Sequence, residues 1–315
     1  MSKYRSRLPQ LSGGLFLMDG GLEATLIFHE GFDLPHFAAF HLMRERNGRA
    51  ALTKYYDRYI AIAKAEGTGF ILEAPTWRAS TDWGDKQGYT RDDIAAVNRD
   101  AIRFMLDLRD IHESAGTTMV VSGCVGPRGD GYNPSQVMTG QEAETYHTHQ
   151  ISAFAEAGAD MMTAMTMTNS NEAVGIANAA AKVGLPVAIS FTLETDGRLP
   201  TGQTLAQSIE EVDAATARGP AYYMINCAHP THFESTLSAT DGWTKRIQGI
   251  RANASRRSHQ ELDNALGLDS GDAVKLGGQY RDLLRRHPQI NVLGGCCGTD
   301  YCHIECICQA CHPAA

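Results

Sequence analysis

The sequence predicts an α/β fold, a closed (β/α)8 barrel of the TIM type. Three observations predict it. Short apolar runs alternate with amphipathic helical stretches along the chain, which implies parallel strands. Eight such units fall within 315 residues, and a barrel of this kind usually takes about 250 residues plus insertions. No Gly-x-Gly-x-x-Gly follows the first apolar run, which leads into Asp19-Gly20-Gly21; an open dinucleotide-binding sheet would need that fingerprint. Residues 1–315 therefore read as one barrel domain.

Candidate strands lie at 15–18, 70–73, 119–123, 161–167, 187–193, 222–226, 247–251 and 290–293. Between them, 52–66 places Leu52, Tyr55, Tyr59, Ile62 and Ala63 at helical spacing and stops at Gly67, a C-cap residue. Thr90 and Asp93 form a capping box, with Asp where Glu is usual, and open a helix through Ile94, Val97, Ile102, Met105 and Leu108. Helix 142–157 ends at Gly158, 171–183 at Gly184, 205–218 at Gly219-Pro220, and 273–286 before Pro288.

Composition narrows the function class. Hydrophobic residues at 43% supply a substantial core, and a net charge of -8 argues against nucleic acid or an anionic membrane as partner. No stretch is long and apolar enough to span a bilayer, and the basic N-terminus lacks the apolar run of a secretory signal. Eight cysteines without such a signal read as thiols or metal ligands in a reducing compartment, so a cytoplasmic location is expected.

In this barrel the chemistry sits where strands end. Those ends carry Asp19 with Glu23 beyond it, Glu73 with Thr76 and Trp77, Cys124, Thr166, Glu194, Asn226-Cys227, Arg251 and Cys296-Cys297. Adjacent strand residues point to opposite faces. Both members of Gly294-Gly295-Cys296-Cys297-Gly298 reach one metal only if the backbone turns sharply, which glycine permits. With Cys227 they form a three-thiolate set that leaves one coordination position open, the pattern of a catalytic zinc.

Asp19-Gly20-Gly21, Gly126-Pro127, Asn226-Cys227 and Gly294-Gly295-Cys296-Cys297-Gly298-Thr299 with His303-Ile304 resemble the homocysteine S-methyltransferase family, in order and over nearly the whole chain. The resemblance implies a zinc-dependent (β/α)8 barrel that moves a methyl group from an onium or folate donor to the homocysteine thiol, giving methionine. It implies Cys227, Cys296 and Cys297 as zinc ligands, Asp19 at the acceptor's amino group and backbone around Gly20 at its carboxylate. Asp19 and Glu73 are then the candidate catalytic carboxylates, and Thr76, Glu194 and Asn226 further substrate contacts. The expected partners are a small thiol and a small donor such as S-methylmethionine or a betaine, since no extra domain for folate or cobalamin is seen.

One position departs from the family. Its fourth strand usually ends in a Glu that contacts the acceptor's amino group; here Met165 stands there. Glu73 or Glu194 would have to supply that charge, or the acceptor is another thiol. Trp77, Trp83, Tyr132 and Phe191 are candidates to face a cationic donor. Cys302, Cys306, Cys308, Cys311 and His312 offer spacings compatible with a second metal or with a terminal helix carrying incidental thiols. His147 and His149 read as surface or packing residues. A non-catalytic zinc or redox-sensing barrel is the alternative to a transferase.

Overall fold

A computed structural model describes residues 2–134, 137–238, 241–265 and 267–312. Eight parallel strands close into a barrel in chain order: β1 (Phe16–Leu17), β2 (Gly69–Glu73), β3 (Met119–Val125), β4 (Met161–Met167), β5 (Val187–Thr192), β6 (Tyr222–Asn226), β7 (Ile247–Ala252) and β8 (Val292–Gly295). Phe16 pairs with Gly69 on one side and Val292 on the other, which closes the ring.

Two apolar layers hold it. Inside the barrel, Phe16, Met18, Ile71, Val120, Met161, Met165, Tyr222, Met224 and Val292 pack together, capped below by Leu8. Alternate strand residues such as Leu17, Phe70, Val121 and Leu293 face the helical ring instead. This is the two-sided burial that near-continuous apolar strands require. Each such side chain contributes about 1.5–3 kcal/mol on burial.

The helices begin and end where local chemistry dictates. Arg91–His112 opens with the reciprocal box: Asp93 N donates to Thr90 Oγ1 at 3.2 Å and Thr90 N donates to Asp93 Oδ2 at 3.0 Å. Gly140–Ala157 ends at Gly158 with φ 96°, a left-handed turn that favours glycine. Leu205–Ala215 stops earlier than the apolar pattern suggests, because Ala217 and Arg218 turn left-handed at φ 50° and 61°. The last helix, Tyr301–Cys311, packs mainly against Ala273–Arg286. Among the described residues no helix is long and apolar enough to cross a membrane.

Candidate active site

The strand ends surround a cavity of about 430 Å³ at the C-terminal rim of the barrel, lined by Asp19, Gly20, Glu23, Glu73, Trp77, Arg78, Tyr132, Met165, Asn226, Cys227, Arg251, His259, Cys296 and Cys297 among others. Rim placement follows from topology, since every strand of a parallel barrel ends on the same side.

At its base the sulfurs of Cys227, Cys296 and Cys297 lie within 4.8 Å of one another, each offering one ligand atom. Backbone geometry produces the convergence. Cys227 follows β6 at φ 53°, a left-handed value that costs of order 1–3 kcal/mol outside glycine. Its N–H donates to Arg251 O at 3.1 Å, and its carbonyl accepts from Asn253 Nδ2 at 3.1 Å and from His259 Nε2 at 2.6 Å. The cysteine pair directly follows β8, and the chain then turns at Gly298, left-handed at φ 80°. A methyl group on Gly21 would lie 2.7 Å from the Cys296 carbonyl, so the β1 loop packs against the pair only as glycine.

The structure joins Cys227 and Cys296 as a disulfide, their Cα atoms 5.4 Å apart, and leaves Cys297 free. The physical reason is proximity: sulfurs gathered closely enough to share a metal are also near enough to bond. The three sulfurs fit a metal in the reduced form. Asn226 Nδ2 donates to Cys227 Sγ at 3.1 Å, and the Tyr132 hydroxyl lies 3.9 Å from Cys297 Sγ; hydrogen bonds to sulfur favour the thiolate. Burial pushes the Cys297 thiol up, so without a metal it keeps its proton.

The second feature is a buried charge cluster. Arg251, at the end of β7, places Nη2 2.8 Å from Asp19 Oδ1 and Nη1 2.6 Å from Glu73 Oε2. It also donates to the carbonyls of Gly20 and Gly295, at 3.0 Å each. Asp19 Oδ2 accepts from the Tyr55 hydroxyl at 2.9 Å. Burial pushes Glu73 up to about 7 against the opposing pull of Arg251, and burial pushes Glu23 up to about 7 as well. Asp19 is raised by the same cause. Glu73 Oε1 is buried without a hydrogen-bond partner. His259 bonds Glu194 Oε1 through Nδ1 at 3.2 Å and the Cys227 carbonyl through Nε2. Burial works against its charge, but these two acceptors raise its pKa overall.

Asp19, Gly20, Glu73 and Asn226 line the cavity as the sequence suggests. Thr76 and Glu194 stand elsewhere. Thr76 is fully buried; its hydroxyl donates to Cys124 O at 2.8 Å and accepts from Cys124 N at 3.1 Å, which ties the β2 loop to β3. Glu194 lies behind His259 rather than in the cavity wall. Of the aromatics, Trp77 and Tyr132 line the cavity; Trp83 lies under Arg78 and Lys86, and Phe191 stacks on Tyr223 in the core. His147 is buried on Glu172, and His149 is half-buried with Nε2 3.0 Å from Arg91 O. Among the described residues the only metal-compatible group is the Cys227 set, so the C-terminal cysteines form no second one. Burial pushes the Cys308 and Cys311 thiols up to about 12, which keeps them protonated.

Arg251, His259 and Arg78 complete the site and were not among the expected contacts. Arg251 was visible as a cation at a strand end, but its carboxylate partners come from strands far apart in sequence. His259 opens the short helix His259–Asp263 in the segment after β7, where no periodicity marks it.

Comparison with known proteins agrees with this fold. A model of the family described as homocysteine S-methyltransferase matches residues 16–311. "Homocysteine S-methyltransferase 2" of Arabidopsis thaliana is 21% identical over 319 aligned residues, covering 91% of this chain and 90% of the relative. Two crystal structures of the homocysteine methyltransferase MmuM from Escherichia coli share the fold. The oxidized form has TM-score 0.74 and 18% identity, over 97% of this chain and 99% of that one. The metallated form has TM-score 0.72 and 17% identity, over the same shares. The chain is a methyltransferase and belongs to the homocysteine S-methyltransferase family.

Proposed function

We propose that this chain transfers a methyl group from a small onium donor to the thiol of homocysteine, with zinc held by Cys227, Cys296 and Cys297. The observation that carries the reading is the convergence of three sulfurs, from two strand ends, at the base of one cavity. Zinc bound to three thiolates would keep a fourth, substrate sulfur deprotonated and electron-rich at neutral pH.

The residues divide the remaining work. Asn226 and the hydrogen bonds on the Cys227 carbonyl fix the sulfur that belongs to β6. Arg251 holds Asp19 and Glu73 together at the cavity wall. Glu73 and Glu23, both in the cavity wall, offer carboxylate to an ammonium group, which answers the loss of the fourth-strand Glu at Met165. Asp19 is committed to Arg251 and Tyr55, so its contribution is the placement of Gly20 and of the local charge. Trp77 and Tyr132 present rings to the cavity, where an onium would gain about 0.5–2 kcal/mol. Transfer from a positively charged leaving group requires no general base.

Cobalt substitution tests the acceptor's place. A reduced protein loaded with cobalt(II) is expected to show a sulfur-to-metal charge-transfer band that grows when homocysteine is added and is unmoved by homoserine. A band indifferent to both would contradict binding of the acceptor sulfur at the metal.

A further inference from the structure

Among the described residues Arg78 is a cation that forms no ion pair. Its Nε and Nη1 are buried and have no hydrogen-bond partner, and no carboxylate lies within ion-pairing distance among the described residues. Its guanidinium rests 4.4 Å from the Trp77 ring centre and 3.5 Å from that of Trp83. Such stacking orients a planar guanidinium but does not satisfy its donors. The other arginine of the cavity, Arg251, is saturated by two carboxylates and two carbonyls. Burial depresses the Arg78 pKa in spite of the nearby charge of Asp130 and Glu23. A protein rarely leaves a desolvated guanidinium unpaired, because an unmade charged hydrogen bond is costly.

Arg78 lines the same cavity as the three cysteines. From a guanidinium that lines this cavity and that no carboxylate pairs among the described residues, we infer that Arg78 is the anchor for a carboxylate carried by one of the two substrates. The inference rests on the reading of this cavity as the substrate pocket. A guanidinium presents a planar fork that matches a carboxylate in bidentate fashion, and its fixed stack on Trp77 and Trp83 pre-organises that fork. The carboxylate belongs either to a zwitterionic methyl donor or to the amino-acid head of the acceptor; the chemistry at Arg78 is the same.

The test reads binding before turnover. Reduced wild-type protein, Arg78→Gln and Arg78→Lys are titrated with butyrate and with its uncharged isostere butyramide, followed by the fluorescence of the tryptophans beneath the guanidinium. Wild type is expected to prefer butyrate at least tenfold, Arg78→Gln to lose that preference, and Arg78→Lys, a point charge without the fork, to keep only part of it. Equal affinities in wild type, or a preference that survives in Arg78→Gln, overturns the inference. Should Arg78→Gln not fold, Arg78→Lys decides: the preference must fall at least threefold. Kinetics then assign the source. A donor carboxylate predicts that Arg78→Gln raises KM for a carboxylate-bearing sulfonium and not for trimethylsulfonium. An acceptor carboxylate predicts that it raises KM for homocysteine and not for 3-aminopropane-1-thiol. No shift in either pair overturns it. Absence of any methyl transfer by wild type would contradict the proposed function instead, and the butyrate titration would still decide Arg78.

Discussion

Arg251 Nη2 lies 2.8 Å from Asp19 Oδ1, reaching from the end of β7 past β8 to the end of β1. The same guanidinium meets Glu73 at the end of β2. One side chain thus bridges both sides of the seam at which the barrel closes, and it does so in the wall of the cavity.

Removing that bridge should be costly. Arg251→Met leaves two buried carboxylates without their cation, and breaking a buried pair costs about 3–5 kcal/mol. Urea unfolding is expected to report a loss of that size. A loss under about 1 kcal/mol would mean that the cluster relaxes freely by protonation.

The sulfur site should depend on redox state. Ligating cysteines must be thiolates, and a Cys227–Cys296 disulfide removes two of three donors. Metal analysis after reduction and zinc loading is expected to give one zinc per chain, lost on oxidation and regained on reduction. Cys297→Ala should retain little zinc even when reduced. Full zinc content in the oxidised protein would contradict the ligand set.

Acceptor binding should depend on pH through Glu73 and Glu23, both held near 7 by burial. An ammonium prefers the ionised carboxylate, so affinity for homocysteine should rise between about pH 6 and 8, by at most about tenfold per unit. A thiol of equal length without the amino group should lack this slope, and Glu73→Gln should flatten it for homocysteine. The stability sign is opposite. A carboxyl raised from 4.5 to about 7 in the folded state destabilises it progressively as pH climbs through that window. Parallel pH profiles for the two thiols would remove the carboxylates from acceptor recognition.

Thr76 separates a fold role from a substrate role. Thr76→Val strips the hydroxyl that both donates to and accepts from the Cys124 backbone. It should cost about 1–3 kcal/mol of stability and leave KM for both substrates within twofold. A large KM change with unaltered stability would return Thr76 to the substrate surface.

The barrel was legible because each of its signals is local. Apolar runs such as 161–167 and the Thr90/Asp93 box appear in the structure at the positions where the sequence put them. The metal-compatible cysteines were legible for a related reason, since topology alone carries the ends of β6 and β8 to one rim. Thr76 and Glu194 do not line the cavity, because a strand-end position does not state which way a side chain turns. Thr76 points at the neighbouring backbone, and Glu194 behind His259. Arg78 was missed because its significance is the absence of a partner, which only the assembled cavity reveals.

The most direct measurement follows the methyl group itself. Reduced, zinc-loaded protein is incubated with homocysteine and a sulfonium donor carrying deuterated methyl groups, and the thioether products are weighed by mass spectrometry. Labelled methionine that forms with wild type and is lost in Cys297→Ala is the predicted result. Full zinc content with no labelled methyl on homocysteine, across sulfonium and ammonium donors alike, would contradict it.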